Sequence, residues 1–153
     1  MKFRVSCIAA FTFVALSGCA NQQIKDRQLI DKYKHDAAGH YENGSGAQLF
    51  IVPVRSRMVT DESMYIERID ANGAFGRLLD LKVSEDGKEV VQFALAFTQE
   101  GQWRNLRENP ELFTALLPKD VRSAGTCNIR PSADLNTVSY SCSGSEPETF
   151  RRK

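Results

Sequence analysis

Two alternating runs face one another across Glu85-Asp86-Gly87-Lys88, and this pair restricts the fold more than any other stretch of the chain. Arg77 to Val83 sets Leu79, Leu81 and Val83 against Leu78, Asp80 and Lys82. Glu89 to Phe97 puts Val91, Phe93, Leu95 and Phe97 on one face. A period of two is the signature of a strand, and Asp-Gly supplies the positive φ that a tight hairpin needs. The same grammar recurs upstream. Gly39 to Asn43 reads as an opening strand stopped by Gly44-Ser45-Gly46. Leu49 to Met58 places Phe50, Val52, Val54 and Met58 on one parity and Arg55 and Arg57 on the other, with Pro53 marking an edge or a bulge. A turn at Thr60-Asp61-Glu62-Ser63 leads into Met64 to Ile69, with Tyr65, Glu67 and Ile69 on one side, and Asp70-Ala71-Asn72-Gly73 is a turn. Cys127 to Arg130, Thr137 to Cys142 and Thr149 to Arg151 supply the last strands.

One segment breaks the alternation. Asn109-Pro110-Glu111-Leu112-Phe113 has a capping residue followed by proline at the first helical position. Leu112, Phe113, Leu116 and Leu117 form an apolar stripe, and Pro118 ends it. The expectation is a mainly β domain, a small antiparallel barrel with one late helix, with a sandwich as the alternative.

The N-terminus carries an address. Lys2 and Arg4 precede an apolar run from Val5 to Leu16, which ends in Leu16-Ser17-Gly18-Cys19. The run is shorter than the roughly 20 residues that span a bilayer and suits the apolar region of a secretory signal. Small residues before a cysteine make a lipobox. The expected plan is a signal at 1–18, a polar tether from Ala20 with a short helix at Gln28 to His35 (together 19–38), and a barrel at 39–153. Cys19 would then carry the acyl chains, palmitate among them, that hold the protein to a membrane. Ala20, not Asp, at the second mature position points to the bacterial outer membrane, with the domain facing the periplasm.

Losing Lys2 and Arg4 turns a formal charge of +1 slightly negative, and no basic field for nucleic acid results. Cys7 leaves with the signal, so Cys127 and Cys142 remain in an oxidising compartment. The pair reads as a disulfide between neighbouring strands, with a redox or metal pair as the alternative.

Several stretches, taken in order, resemble a known family. They are Gly39-His40-Tyr41, Met64-Tyr65-Ile66-Glu67, the aromatic and arginine of Phe75 to Leu81, Asn109-Pro110-Glu111-Leu112 through Lys119-Asp120-Val121, and the glycine shortly before Cys127 with Cys142 beyond. The chain is similar over these to the CpcT/CpeT type of phycobiliprotein lyase. The resemblance implies a calycin-like (lipocalin-like) barrel and a linear tetrapyrrole, or bilin, as ligand. Where the family has Tyr-Arg-Gln-Arg this chain has Phe75-Gly76-Arg77-Leu78, so one arginine is kept and one is lost. The chain also stops soon after Cys142, which implies a smaller or incomplete barrel.

Arg55, Arg57, Tyr65, Glu67 and Arg77 are the candidate ligand-binding residues, grouped around one barrel mouth where arginines would clamp carboxylates. The competing reading puts them on the solvated side of half-buried strands. Trp103, with Phe97 and Phe113, would line a pocket or plug one end. His35 and His40 are a weak metal signal, so no metal ligand is assigned. No catalytic residue is assigned either, because no carboxylate has a nucleophile or base at a diagnostic spacing. The expected role is non-catalytic, needs no cofactor, and consists of binding a small apolar or amphipathic ligand or an envelope protein. Bilin-lyase activity and inhibition of a lysozyme or other hydrolase, through loops such as Ser84–Lys88 or Pro131–Asn136, are the alternatives.

Overall fold

A computed structural model describes residues 8–99 and 105–153, with side chains from Gly18 onward. Eight strands follow one another around a closed antiparallel barrel. They are β1 (Gly39–Glu42), β2 (Gln48–Ser56), β3 (Thr60–Asp70), β4 (Gly73–Val83), β5 (Val90–Phe97), β6 (Val121–Pro131), β7 (Thr137–Cys142) and β8 (Glu148–Arg152). The expected small calycin-like barrel forms, and it is complete, because β8 pairs back onto β1 through Tyr41↔Arg152 and Glu42↔Arg151. Closure removes the open edges that invite pairing with other chains.

Each hairpin reverses the chain. The turns at 57–59, 84–89 and 132–136 therefore gather at one end, the base, and those at 43–47, 71–72 and 143–147 gather at the other, the mouth. At the base lies α1 (Ile8–Ala37). The polar tether expected from Ala20 to Arg27 is instead part of this one helix. Residues 20–38 contain no glycine or proline, and Lys, Gln, Arg and Leu favour helix. Side chains four apart add support, as in Gln22 to Asp26 and Lys32 to Asp36. Ile30 is buried in the core, Tyr33 donates to the Ile129 carbonyl at 3.2 Å, and Lys34 pairs with Glu62.

Arg152 locks the base. Its guanidinium donates to the carbonyls of Leu135 (2.8 Å), Ala38 (2.9 Å) and Asp36 (3.0 Å) and to the Tyr41 hydroxyl (2.7 Å). It also lies 4.9 Å from the Tyr41 ring centroid. Two of these carbonyls belong to the last turn of α1 and the residue after it, where backbone acceptors lack helical partners. One planar fork thus ties helix, loop and both closing strands together.

The barrel has two apolar regions. Inside, Tyr41, Leu49, Ile51, Met64, Ile66, Leu79, Ile129 and Phe150 are buried. Outside, Tyr65, Leu78, Val54 and Phe97 are buried beneath Leu106, Phe113 and Leu116 of the segment joining β5 to β6. This strap corrects the alternation argument. In β2 the lumen takes Leu49 and Ile51, Phe50 and Val52 face the strap side, and Met58 is 61% exposed. In β5 the lumen takes Gln92, Ala94 and Ala96, while Phe93 is exposed. A narrow closed barrel favours small inward side chains, and a sheet covered on both sides loses the simple apolar-in, polar-out contrast. Gln92 is satisfied there: it accepts from the Ile129 N–H at 2.7 Å and donates to the Val90 carbonyl at 2.8 Å.

The late helix is also corrected. Pro110–Ala115 is a 3₁₀ helix, and Asn109 makes no side-chain cap. Only Phe113 and Leu116 of its stripe are buried, which one turn laid flat on a sheet requires, and Leu112 and Leu117 are exposed. Pro118 opens a second 3₁₀ turn, Pro118–Asp120. Thr60 to Ser63 is strand, and the turn falls at 57–59. Cys127 and Cys142 are bonded, directly opposite one another on β6 and β7, with Cα atoms 4.0 Å apart.

Candidate functional site: the barrel mouth

Directly paired residues in an antiparallel sheet share a face. Arg77 pairs with Ile66, and Arg68 pairs with Leu49 and Phe75. Ile66 and Leu49 are lumen residues, so both arginines point inward. They border an open cavity of about 490 Å³ at the mouth, together with Phe75, Ala94, Tyr140 and Glu148. The half-buried disulfide residue Cys142 also lines it. This volume lies within the roughly 300–1,000 Å³ usual for small-molecule sites.

The polar groups of the mouth are held in place. Arg68 pairs with Asp70 and, at 3.2 Å, with Glu148. Its Nε is buried with no hydrogen-bond partner among the described residues. Such an atom is costly unless an acceptor arrives. The Arg77 guanidinium stacks 3.7 Å from the Phe75 ring centroid and donates to the Gly76 carbonyl at 2.8 Å. Tyr140 packs edge-on against Phe150 with ring centroids 6.0 Å apart. Burial raises its phenol pKa, so it remains a hydroxyl donor at neutral pH. The Asn72 N–H, and then Arg68, hold the Asp70 carboxyl below its usual range. Two guanidinium groups, a phenol and an aromatic shelf can grip an anionic head while its apolar body lies on Phe75 and Ala94.

The five sequence candidates do not converge. Arg77 alone lines the mouth. Tyr65 and Glu67 sit together on the outer wall, where the Tyr65 hydroxyl donates to Glu67 at 3.2 Å and Arg107 of the strap donates to Glu67 at 2.7 Å. The same Arg107 stacks 3.9 Å from the Phe50 ring centroid, and Phe50 stacks on His40 at 4.2 Å. Burial, then the neighbouring carboxylate, raises the Tyr65 phenol pKa. Gly76 makes room for this ring, since a Cβ there would lie 2.3 Å from the Tyr65 oxygen. Arg55 and Arg57 are exposed at the far end of β2, beside the base. Cys19 is an exposed free thiol on α1. Phe97 and Phe113 meet outside the barrel at 6.5 Å, and Trp103 lies outside the described residues.

Arg68 and Tyr140 were not among the candidates. Each shares its strand parity with lumen residues: Arg68 with Met64 and Ile66, and Tyr140 with Val138. A cation on an otherwise apolar parity was the available signal. A larger groove of about 520 Å³ runs between α1 and the β6–β7 hairpin. Its wall mixes Lys32, Asp36, Lys88 and Glu89 with apolar side chains, and it reaches the lumen residues Gln92 and Ile129 at the base end of the barrel. Among the described residues no group of three His, Cys, Asp or Glu could hold a metal ion, and no helix is long and apolar enough to cross a membrane. No family model, curated protein or solved structure matches this chain.

Proposed function

We propose that this protein is a lipid-anchored component of the bacterial outer membrane, facing the periplasm, whose barrel mouth binds a small amphipathic anion without transforming it. The observation that carries the binding role is the orphaned Nε of Arg68, beside Arg77 on its Phe75 shelf, at a cavity of about 490 Å³. An acceptor on the ligand would satisfy that buried donor, and apolar surface laid on the shelf would leave water. The lipobox at Leu16 to Cys19 supports the anchor, as does the exposure of Cys19. Incorporation of labelled palmitate that disappears in Cys19→Ala tests the anchor separately.

The binding role is tested with anilinonaphthalene sulfonate, an aromatic anion that fluoresces when shielded from water. Saturable fluorescence is expected, about tenfold weaker in affinity in Arg77→Ala, the loss of one charge-assisted contact. Arg68→Gln should weaken it as well, with thermal melts confirming that both variants are folded. Titrations without saturation, or identical in all three proteins, would refute the site.

The family resemblance favours a bilin as ligand, and Arg77 is the retained arginine. Incubation with a bilin separates carrier from lyase: a carrier shifts the absorbance reversibly, and a lyase transfers the chromophore to an acceptor protein. Inhibition of a hydrolase would use Ser84–Lys88 or Pro131–Asn136. Both are short turns at the base, tied by their own hydrogen bonds through Asp86 and Asp134.

A further inference from the structure

The base carries a feature that ligand binding leaves unused. The turn between β2 and β3 presents Met58, 61% exposed and the most exposed large apolar side chain described. Arg55 and Arg57 flank it, both exposed. Two of the acids near this tip are already engaged. Glu62 pairs with Lys34 of α1, and Asp80 takes the Thr60 hydroxyl and lies 3.3 Å from Lys82. Asp61 is the one exposed carboxylate beside the tip, so positive charge exceeds negative there.

The helix fixes where this tip lies relative to Cys19. Gln22 reaches the β4–β5 turn, its amide 3.7 Å from where a Cβ on Gly87 would stand. Cys19 is three residues away along a continuous helix, about 5 Å of axial rise. The other end of α1 meets Glu62 of β3, just past the Met58 turn. An acyl group on Cys19 would therefore bring the base, not the mouth, to the lipid. A flexible tether would fix no such orientation, whereas a helix packed against the barrel does.

We propose that the β2–β3 tip, Arg55-Ser56-Arg57-Met58, is a membrane-docking contact. Met58 enters the interface, and the two arginines meet the phosphates of anionic phospholipids. The barrel then stands base-down with its mouth open to the aqueous compartment, so that ligand arrives from solution and not sideways out of the bilayer. This orientation rests on the proposed anchor at Cys19, but the tip contact can be measured without it.

The test uses the mature chain from residue 19 with Cys19→Ser and an environment-sensitive nitrobenzoxadiazole label on Met58→Cys. It is titrated with vesicles of three parts phosphatidylcholine to one part phosphatidylglycerol, and with pure phosphatidylcholine. The label is expected to shift to the blue on anionic vesicles and much less on neutral ones. Arg55→Ala with Arg57→Ala should partition roughly twenty-five-fold more weakly, a factor of five for each arginine. A label on Asn72→Cys, in the turn at the mouth, should not respond. No shift at position 58, equal response to both lipids, or a response at position 72 equal to that at 58 would each overturn the proposal. A failure of palmitate labelling would count against the anchor alone, since this titration is made without an acyl group.

Discussion

Glu67 and Arg107 are 40 residues apart, meet at 2.7 Å, and are 15% and 27% exposed. An exposed ion pair contributes roughly 0.2–1 kcal/mol, and breaking a buried one costs about 3–5. This pair lies between those limits. A double-mutant cycle with Glu67→Gln and Arg107→Ala should give a coupling of about 1.5 kcal/mol in urea denaturation. A coupling near zero would mean that the strap is held by the apolar packing of Leu106, Phe113 and Leu116. Asp134 makes a second residue-scale prediction. The Ser132 hydroxyl, then the Asn136 side-chain and backbone N–H groups, bring its carboxyl pKa from 3.8 down to about 2. A depressed carboxylate pKa stabilises the fold above the unfolded value, and that contribution is lost as pH falls through the folded value. Acid titration followed by circular dichroism should therefore show stability declining between pH 3.8 and about 2, with a shallower decline in Asp134→Asn.

At the scale of elements, the sequence was most legible where turns are dictated by backbone chemistry. Gly87 has φ +72° in the hairpin expected from Asp-Gly, and Gly73 has φ +122° at the end of the Asp70 turn. Glycine accepts these angles at little cost. The hidden part was which face of β2 and β5 turns inward. Phe50 is about as apolar as Leu49 and Ile51, and Phe93 is far more apolar than Gln92 and Ala94, yet the lumen takes Ile51 and Ala94. A strap from a distant part of the chain covers the outer face of β2, and no window of ten residues contains that fact. For the same reason Tyr65 and Glu67 were grouped with Arg77, although adjacent strand positions of opposite parity separate them by the thickness of the sheet. The disulfide was legible from the spacing of Cys127 and Cys142 on two expected neighbouring strands. It joins β6 to β7 over a separation of 15 residues, which suggests about 3 kcal/mol from restriction of the unfolded chain. Reduction should lower the melting temperature by roughly 10 °C without abolishing the barrel. It should also loosen the mouth, because Cys142 is part of its wall.

For the molecule as a whole, the ring is closed by the pairing of β1 with β8 and by the Arg152 cluster beside it. Arg152→Ala removes four hydrogen bonds and leaves the Tyr41 hydroxyl and the helix-end carbonyls without their donor. The expected loss is about 3 kcal/mol. Arg152→Lys should rescue little of it, since an ammonium cannot span the same acceptors. Chemical denaturation of the three proteins checks this, and a loss below about 1 kcal/mol would show that strand pairing alone closes the ring.

That closure also has a consequence in time. Tyr41 and Arg152 are separated by 111 residues, so the ring cannot be sealed until the tail of the polypeptide has arrived. A chain made from its N-terminus appears head first, with its opening strand waiting for a partner not yet made. Throughout that interval Leu49, Ile51 and Ile66 have no interior to occupy. Shortening the tail by five residues removes nearly all of β8, Glu148–Arg152, and should leave the newborn protein as prey for proteases.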